Sequence, residues 1–150
     1  MSNKLGRFAR LSFSQKRLLG EALLGLALAR AAMFCLPFRR IAAWLGTPGA
    51  MSSDASENEV RIAEEIGWAV GVVARRVPWD GRCLAQALAA TGMLRRRGLE
   101  GTVSFGAGRA GAVESAFSAH AWLRVGSFIV TGGPSHEQFK TLTTFARKRQ

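Results

Sequence analysis

Apolar residues recur along the chain with two different spacings, and the change from one to the other divides it. Apolar and small positions run from position 18 to position 34, broken only by Glu21 and Arg30. Ser12 and Gln15 ahead of them stand at capping-box spacing, in which the hydroxyl accepts one orphan amide proton and the Gln side chain accepts another. The pattern predicts a helix over 12–34 that ends near Pro37, then a short amphipathic helix over 39–45 stopped by Gly46. Residues 47–56, rich in Ser, Gly and Pro, read as a loop. Ser56 and Glu59 form a second capping box, and behind it Val60, Ala63, Ile66, Val70, Val73 and Val77 recur every three or four residues. This is an amphipathic helix that Pro78 closes. A third helix is expected from an N-cap at Asp80 through Leu84, Leu88, Thr91 and Leu94 to the triplet Arg95, Arg96, Arg97. Gly98 follows its end, and the cations complement the helix dipole there.

Beyond Gly98 the pieces become short and β-prone. Strands are expected over 102–105, 119–125 and 128–131, the last two joined at Gly126-Ser127, where Gly in the first turn position suits a type II′ hairpin. Residues 106–111 read as a Gly-rich hairpin loop, Gly132-Gly133-Pro134 ends the strands, and 139–150 reads as irregular or helical. The resulting class is α+β: N-terminal helices, a central helix, and a small antiparallel sheet. Residues 1–50 are expected to pack as a helical segment on a core formed by 56–150.

Composition narrows the classes. A chain of 150 residues, 48% hydrophobic, is one domain and not a disordered one. Two cysteines exclude a disulfide scaffold and a multi-cysteine zinc site. Cys35 lies in an apolar run and reads as a free buried thiol, so no bridge to Cys83 is expected, and the expected location is cytoplasmic. Residues 18–38 form the one candidate membrane span, but Glu21 and Arg30 interrupt it, each costing about 2.5–3.5 kcal/mol near a bilayer centre. No span is expected. Packing of this segment on the core is the preferred reading, and contact with a membrane surface stays open without being expected.

The formal charge is +11, with +7 in residues 1–46 and −4 in residues 51–70. Basic charge draws polyanions without specifying them. The aromatic residues are not interleaved with the arginines as a base-stacking platform needs, so no nucleic-acid partner is expected.

Two residues stand out chemically. Cys83 lies near the start of the third helix, where unpaired amides and the positive end of the helix dipole favour a thiolate; the same amides, that of Leu84 among them, can stabilise an oxyanion. A small packing residue is the competing reading. His120 lies on a strand whose alternation puts His120, Trp122 and Arg124 on one face. A strand histidine beside a helix-start cysteine can form a nucleophile and base pair. His136 looks exposed. Gly106-Ala-Gly-Arg-Ala-Gly111 matches a dinucleotide-binding fingerprint, but no adequate helix and no acid at the next strand's end follow, so a hairpin loop is preferred. The cysteines and histidines lack metal-ligand spacing, and neither metal nor cofactor is expected.

The blocks Pro78-Trp79, Cys83-Leu84, Ala87-Leu88, Leu94 to Gly98, Ala119-His120-Ala121-Trp122-Leu123 and Val130-Thr131-Gly132-Gly133, preceded by Leu36-Pro37-Phe38-Arg39-Arg40, resemble the B2 proteins of lasso-peptide biosynthesis. These are leader peptidases with a papain/transglutaminase-like core. The resemblance implies a cysteine protease that removes the leader of a ribosomally made precursor, with Cys83 as nucleophile and His120 as general base. It also implies a lasso cyclase that acts afterwards and a leader-recognition protein, expected to be separate because residues 1–80 read as helices. The family pattern places an Asp about one strand after the histidine, whereas residues 129–134 hold no carboxylate. The third member is therefore unknown: Thr131, a backbone carbonyl, Asp80 and Glu137 are the candidates. Its absence motivates the alternative of a catalytically silent module that presents the precursor to a partner enzyme.

Overall fold

The computed structural model describes residues 2–79, 83–109 and 117–147. Two capping boxes form as the spacing requires. Ser12 opens α2 (Phe13–Cys35) and Ser56 opens α4 (Glu57–Ala74), each with its hydroxyl on the amide three residues on and the returning side chain on its own amide. Between them lies α3 (Phe38–Leu45), and a short α1 (Ser2–Ala9) precedes them. The helix α4 ends at Ala74, three residues short of Val77, so Pro78 does not itself terminate it. The central helix α5 runs over Cys83–Arg95; Asp80, the expected N-cap, lies outside the described residues.

The strands are β1 (Thr47–Pro48), β2 (Thr102–Arg109), β3 (Phe117–Val125), β4 (Phe128–Thr131) and β5 (Lys140–Ala146). Among the described residues they form one antiparallel sheet in the order β1-β5-β2-β3-β4. The mixed α+β class is as expected, but two expectations change. Over Lys140–Ala146 the tail is not irregular or helical: β5 lies within the sheet, pairing β2 on one side and β1 on the other, with Phe145 and Ala146 buried. Its apolar residues are few and its Thr residues many, a β-prone composition without alternation clear enough to read in isolation. The second change is at Gly106 and Gly108, which sit inside β2 opposite His120 and Ser118, so these two glycines of the dinucleotide fingerprint occupy a strand and not a turn. Its last two residues, Ala110 and Gly111, lie outside the described residues.

Helix α5 is buried on nearly every side, with the sheet against one face and α2 and α4 against others. Its small residues permit this. A Cβ on Gly25 of α2 would lie 3.3 Å from Ala89 Cβ, so the two helix backbones approach as closely as side chains allow. The buried stripe of α2, Leu19, Ala22, Leu26 and Ala29, covers α4 and α5, while its other faces stay uncovered. Cys35 is exposed at the helix end and is not the buried thiol that its apolar neighbours suggested.

The Arg triplet ties three helices together, a wider role than capping α5. Arg95 donates to the Trp44 and Leu45 carbonyls at the end of α3 (2.6 Å each) and lies over the Trp44 ring at 4.6 Å. Arg97 donates from its two terminal nitrogens to both oxygens of Glu21 on α2 (2.9 and 2.8 Å). That fork holds the Glu21 carboxyl below its ordinary value of 4.5 and raises the Arg97 guanidinium in turn. A carboxyl lowered by folding contributes stability above its unfolded value, and that contribution is lost as pH falls through the folded value. Glu21→Gln is therefore expected to lose about 1 kcal/mol at neutral pH, the range for a well-formed, partly exposed Arg–carboxylate pair. Urea melts of both proteins should converge once the medium is acid enough to protonate Glu21, and a difference that persists there would contradict this role.

Candidate active site

The start of α5 and the outer side of β3 meet at one place. Strand β4 pairs with β3 only from Leu123 onward, through Thr131, Ile129 and Phe128. Two residues before that ladder, the Ala121 amide donates to Cys83 Sγ at 3.4 Å. A strand edge left without a ladder partner thus supplies a donor to the sulfur, the kind of contact that negative charge on sulfur draws on. Cys83 is the first residue of α5, half-buried, and the first-turn amides beside it, including that of Leu84, have no partner within the helix. Any oxygen developing charge beside the sulfur would meet those amides and the positive end of the helix.

His120 directly precedes Ala121, so sulfur and histidine flank the same edge of β3. Its Nε2 lies 2.9 Å from the Gly132 carbonyl oxygen. A carbonyl only accepts, so Nε2 carries the proton and the neutral ring keeps its lone pair on Nδ1. The ring plane is fixed as well. Phe139 stacks on it at 4.8 Å between centroids and 28° between planes, and Trp122, two residues along the same strand face, at 5.8 Å and 27°.

The glycines of β2 make room for those rings. A Cβ at Gly106, cross-strand from His120, would come within 2.8 Å of the Trp122 ring and 2.9 Å of the Lys140 carbonyl oxygen. One at Gly108 would reach 2.7 Å from the Gln138 carbonyl oxygen and 3.0 Å from the Phe139 ring. Gly132 is demanded for a different reason. Its φ of +75° turns the carbonyl toward the imidazole, a conformation that glycine adopts without the Cβ penalty. A Cβ there would lie 3.0 Å from His120 Nε2 itself.

Of the candidates for the third position, the backbone carbonyl of Gly132 is the one the structure brings to His120. Thr131 Oγ1 is buried without a hydrogen-bond partner, as is Trp79 Nε1. Glu137 is exposed on the 3₁₀ segment Gly133–Gln138, and Asp80 lies outside the described residues. His136 is not the free surface residue its loop position suggested: it is half-buried, its Nδ1 contacts the Gly133 carbonyl oxygen at 2.7 Å, and its ring tilts against Trp122 at 6.0 Å. Sequence reading allowed a backbone carbonyl here but could not say which one, because a backbone group carries no residue signature. The visible trace was a Gly-Gly pair directly after a strand, which reads equally well as a simple strand terminator.

A thiol with a backbone donor at its sulfur, an imidazole on the residue next to that donor with its tautomer and plane set, and first-turn amides are the kinds of group that acyl transfer through a thioester uses. No curated protein and no solved structure gives a significant match to the chain. The family model described as the transglutaminase-like superfamily matches residues 25–144, a span that takes in the C-terminal part of α2, all of α5 and nearly all of the sheet. Its coverage of most of the sequence, together with the mixed helical and antiparallel architecture, places the chain in the transglutaminase-like superfamily.

Proposed function

We propose that this chain is a cysteine peptidase that removes the leader from a ribosomally synthesised lasso-peptide precursor. The superfamily includes cysteine peptidases, and the observation that carries the reading is the meeting of Cys83 Sγ with the strand edge beside His120, whose tautomer the Gly132 carbonyl sets. In this reading His120 Nδ1 takes the thiol proton and the Cys83 sulfur attacks the scissile carbonyl carbon. The tetrahedral oxyanion is held by first-turn amides, that of Leu84 among them. Collapse breaks the C–N bond, the imidazolium gives its proton to the leaving amine, and a thioester remains on Cys83. Water then attacks the thioester with His120 as base, releasing the acid and restoring the thiol. No cofactor enters this sequence. A separate leader-recognition protein and a lasso cyclase are the partners the reading implies, and the site of action is the cytoplasm.

Residues 129–134 hold no carboxylate, and among the described residues none is bonded to His120, which favours a second reading, a silent module that presents the precursor. One experiment separates them. The protein is incubated with a precursor peptide and the leader-recognition protein encoded beside it, and the products are weighed by mass spectrometry. Two fragments from a single cut, lost after iodoacetamide treatment, support the peptidase. A precursor bound in pull-down yet intact after long incubation supports the module and overturns the peptidase.

A further inference from the structure

The outer face of α2 is apolar and uncovered. This 23-residue helix has a mean hydropathy of 1.7 over its most apolar window, yet only 28% of that window is buried. Opposite the stripe that covers α4 and α5, Phe13, Leu24, Leu28 and Phe34 project into solvent, from 56% exposed at Leu24 to 87% at Phe34. Phe8 before the helix is exposed too, as is Phe38 after it, although the Phe38 ring also meets the Phe105 ring of β2 edge-on at 5.6 Å.

Along residues 1–46 the charges flanking this face are basic but for Glu21, while on α4 Glu64 and Glu65 line the same depression as Arg17 and Leu24. Arg7, Arg10, Lys16 and Arg17 stand toward one end, and Arg30, Arg39 and Arg40 toward the other. Among residues 1–46 the one acid is Glu21, and its carboxylate is taken by Arg97 and Arg96. The remaining stretch between the clusters, residues 18–29, is free of other charge over about 18 Å of helix.

An apolar helix face with aromatic residues at both ends and bases flanking it fits the boundary of an anionic bilayer, where apolar side chains enter the acyl region and cations meet lipid phosphates. We propose that α2 seats this protein peripherally on anionic membrane, lying in the plane of the surface. It does not span, because Leu19, Ala22, Leu26 and Ala29 are the cover of the core and Gly25 is in close contact with Ala89 of α5. Helix α5 lies between α2 and the sheet, so seating by α2 leaves the β3 edge with Cys83 and His120 uncovered. The inference stands whether or not Cys83 is a nucleophile.

The test is co-sedimentation of the full chain with vesicles of phosphatidylcholine alone and of phosphatidylcholine with about one-third phosphatidylglycerol. Partition onto the anionic vesicles is expected to exceed that onto neutral ones at least tenfold, at about fivefold per base held at the surface, and to fall as salt rises. The paired change Leu24→Asp and Leu28→Asp alters exposed positions only, and is expected to lower partition at least about tenfold with an unchanged thermal melt. Arg39→Glu with Arg40→Glu should act likewise, through charge alone. Alkaline carbonate is expected to release the bound protein. No binding to anionic vesicles, equal binding to both kinds, or retention after carbonate, which marks a span, would each overturn the proposal. So would a dimer by analytical ultracentrifugation that the leucine changes dissociate, since the face would then belong to a second copy.

Discussion

Cys83→Ala is expected to lower precursor cleavage by about 10⁴-fold or more, the scale on which removal of a nucleophile acts when the remaining groups work as a unit with it. The change removes one sulfur atom that accepts a single backbone donor, Ala121 N, at a half-buried position, so the fold should survive with a stability change under about 1 kcal/mol. Cleavage assays paired with a urea melt separate the two effects. Cys35→Ser is the internal comparison: that thiol is exposed at the end of α2 and should leave cleavage unchanged. A Cys83→Ala protein that cuts at the wild-type rate would remove Cys83 from the chemistry.

Gly132→Ala has the second largest expected effect, although the residue offers no side chain to any reaction. Its φ is +75°, and the added carbon would lie 2.8 Å from the Ala121 carbonyl oxygen, 2.9 Å from Trp122 Cβ and 3.0 Å from His120 Nε2. Relief of those contacts must move the carbonyl that sets the His120 tautomer. Loss of an orienting partner costs on the order of 10²- to 10⁴-fold in turnover, and strain at a left-handed position costs about 1–3 kcal/mol of stability. A positioning role shows as a fall in kcat with KM little changed. Gly133→Ala is the control, since its added carbon meets Ile129 Cγ2 at 3.4 Å, an ordinary contact, and its φ is not positive. Equal effects at the two glycines would mean that the turn matters only as a turn.

The helices were legible because their signals are local. Ser12 with Gln15 and Ser56 with Glu59 mark helix starts by residues three apart, and both capping boxes form. The strand position of His120 and the helix-start position of Cys83 were legible for the same reason. The group that each of them contacts was not, because the Ala121 amide and the Gly132 carbonyl are backbone groups and any residue supplies them. The strand β5 was missed because its support comes from β2 and β1 on either side, contacts between residues some 40 and 100 positions apart. The glycines of β2 misled in the opposite direction. Glycine inside a strand marks a close approach as often as a loop, and here the approaching groups are the Trp122 and Phe139 rings that clasp His120.

The central claim, that His120 activates the Cys83 sulfur, is tested most directly by the rate of iodoacetamide alkylation at neutral pH in a Cys35→Ser background. The account predicts that Cys83, although less exposed than Cys35, is alkylated faster than a free thiol peptide, and that His120→Ala slows it at least about tenfold. A Cys83 that is inert, or whose rate is indifferent to the loss of the imidazole, would contradict it.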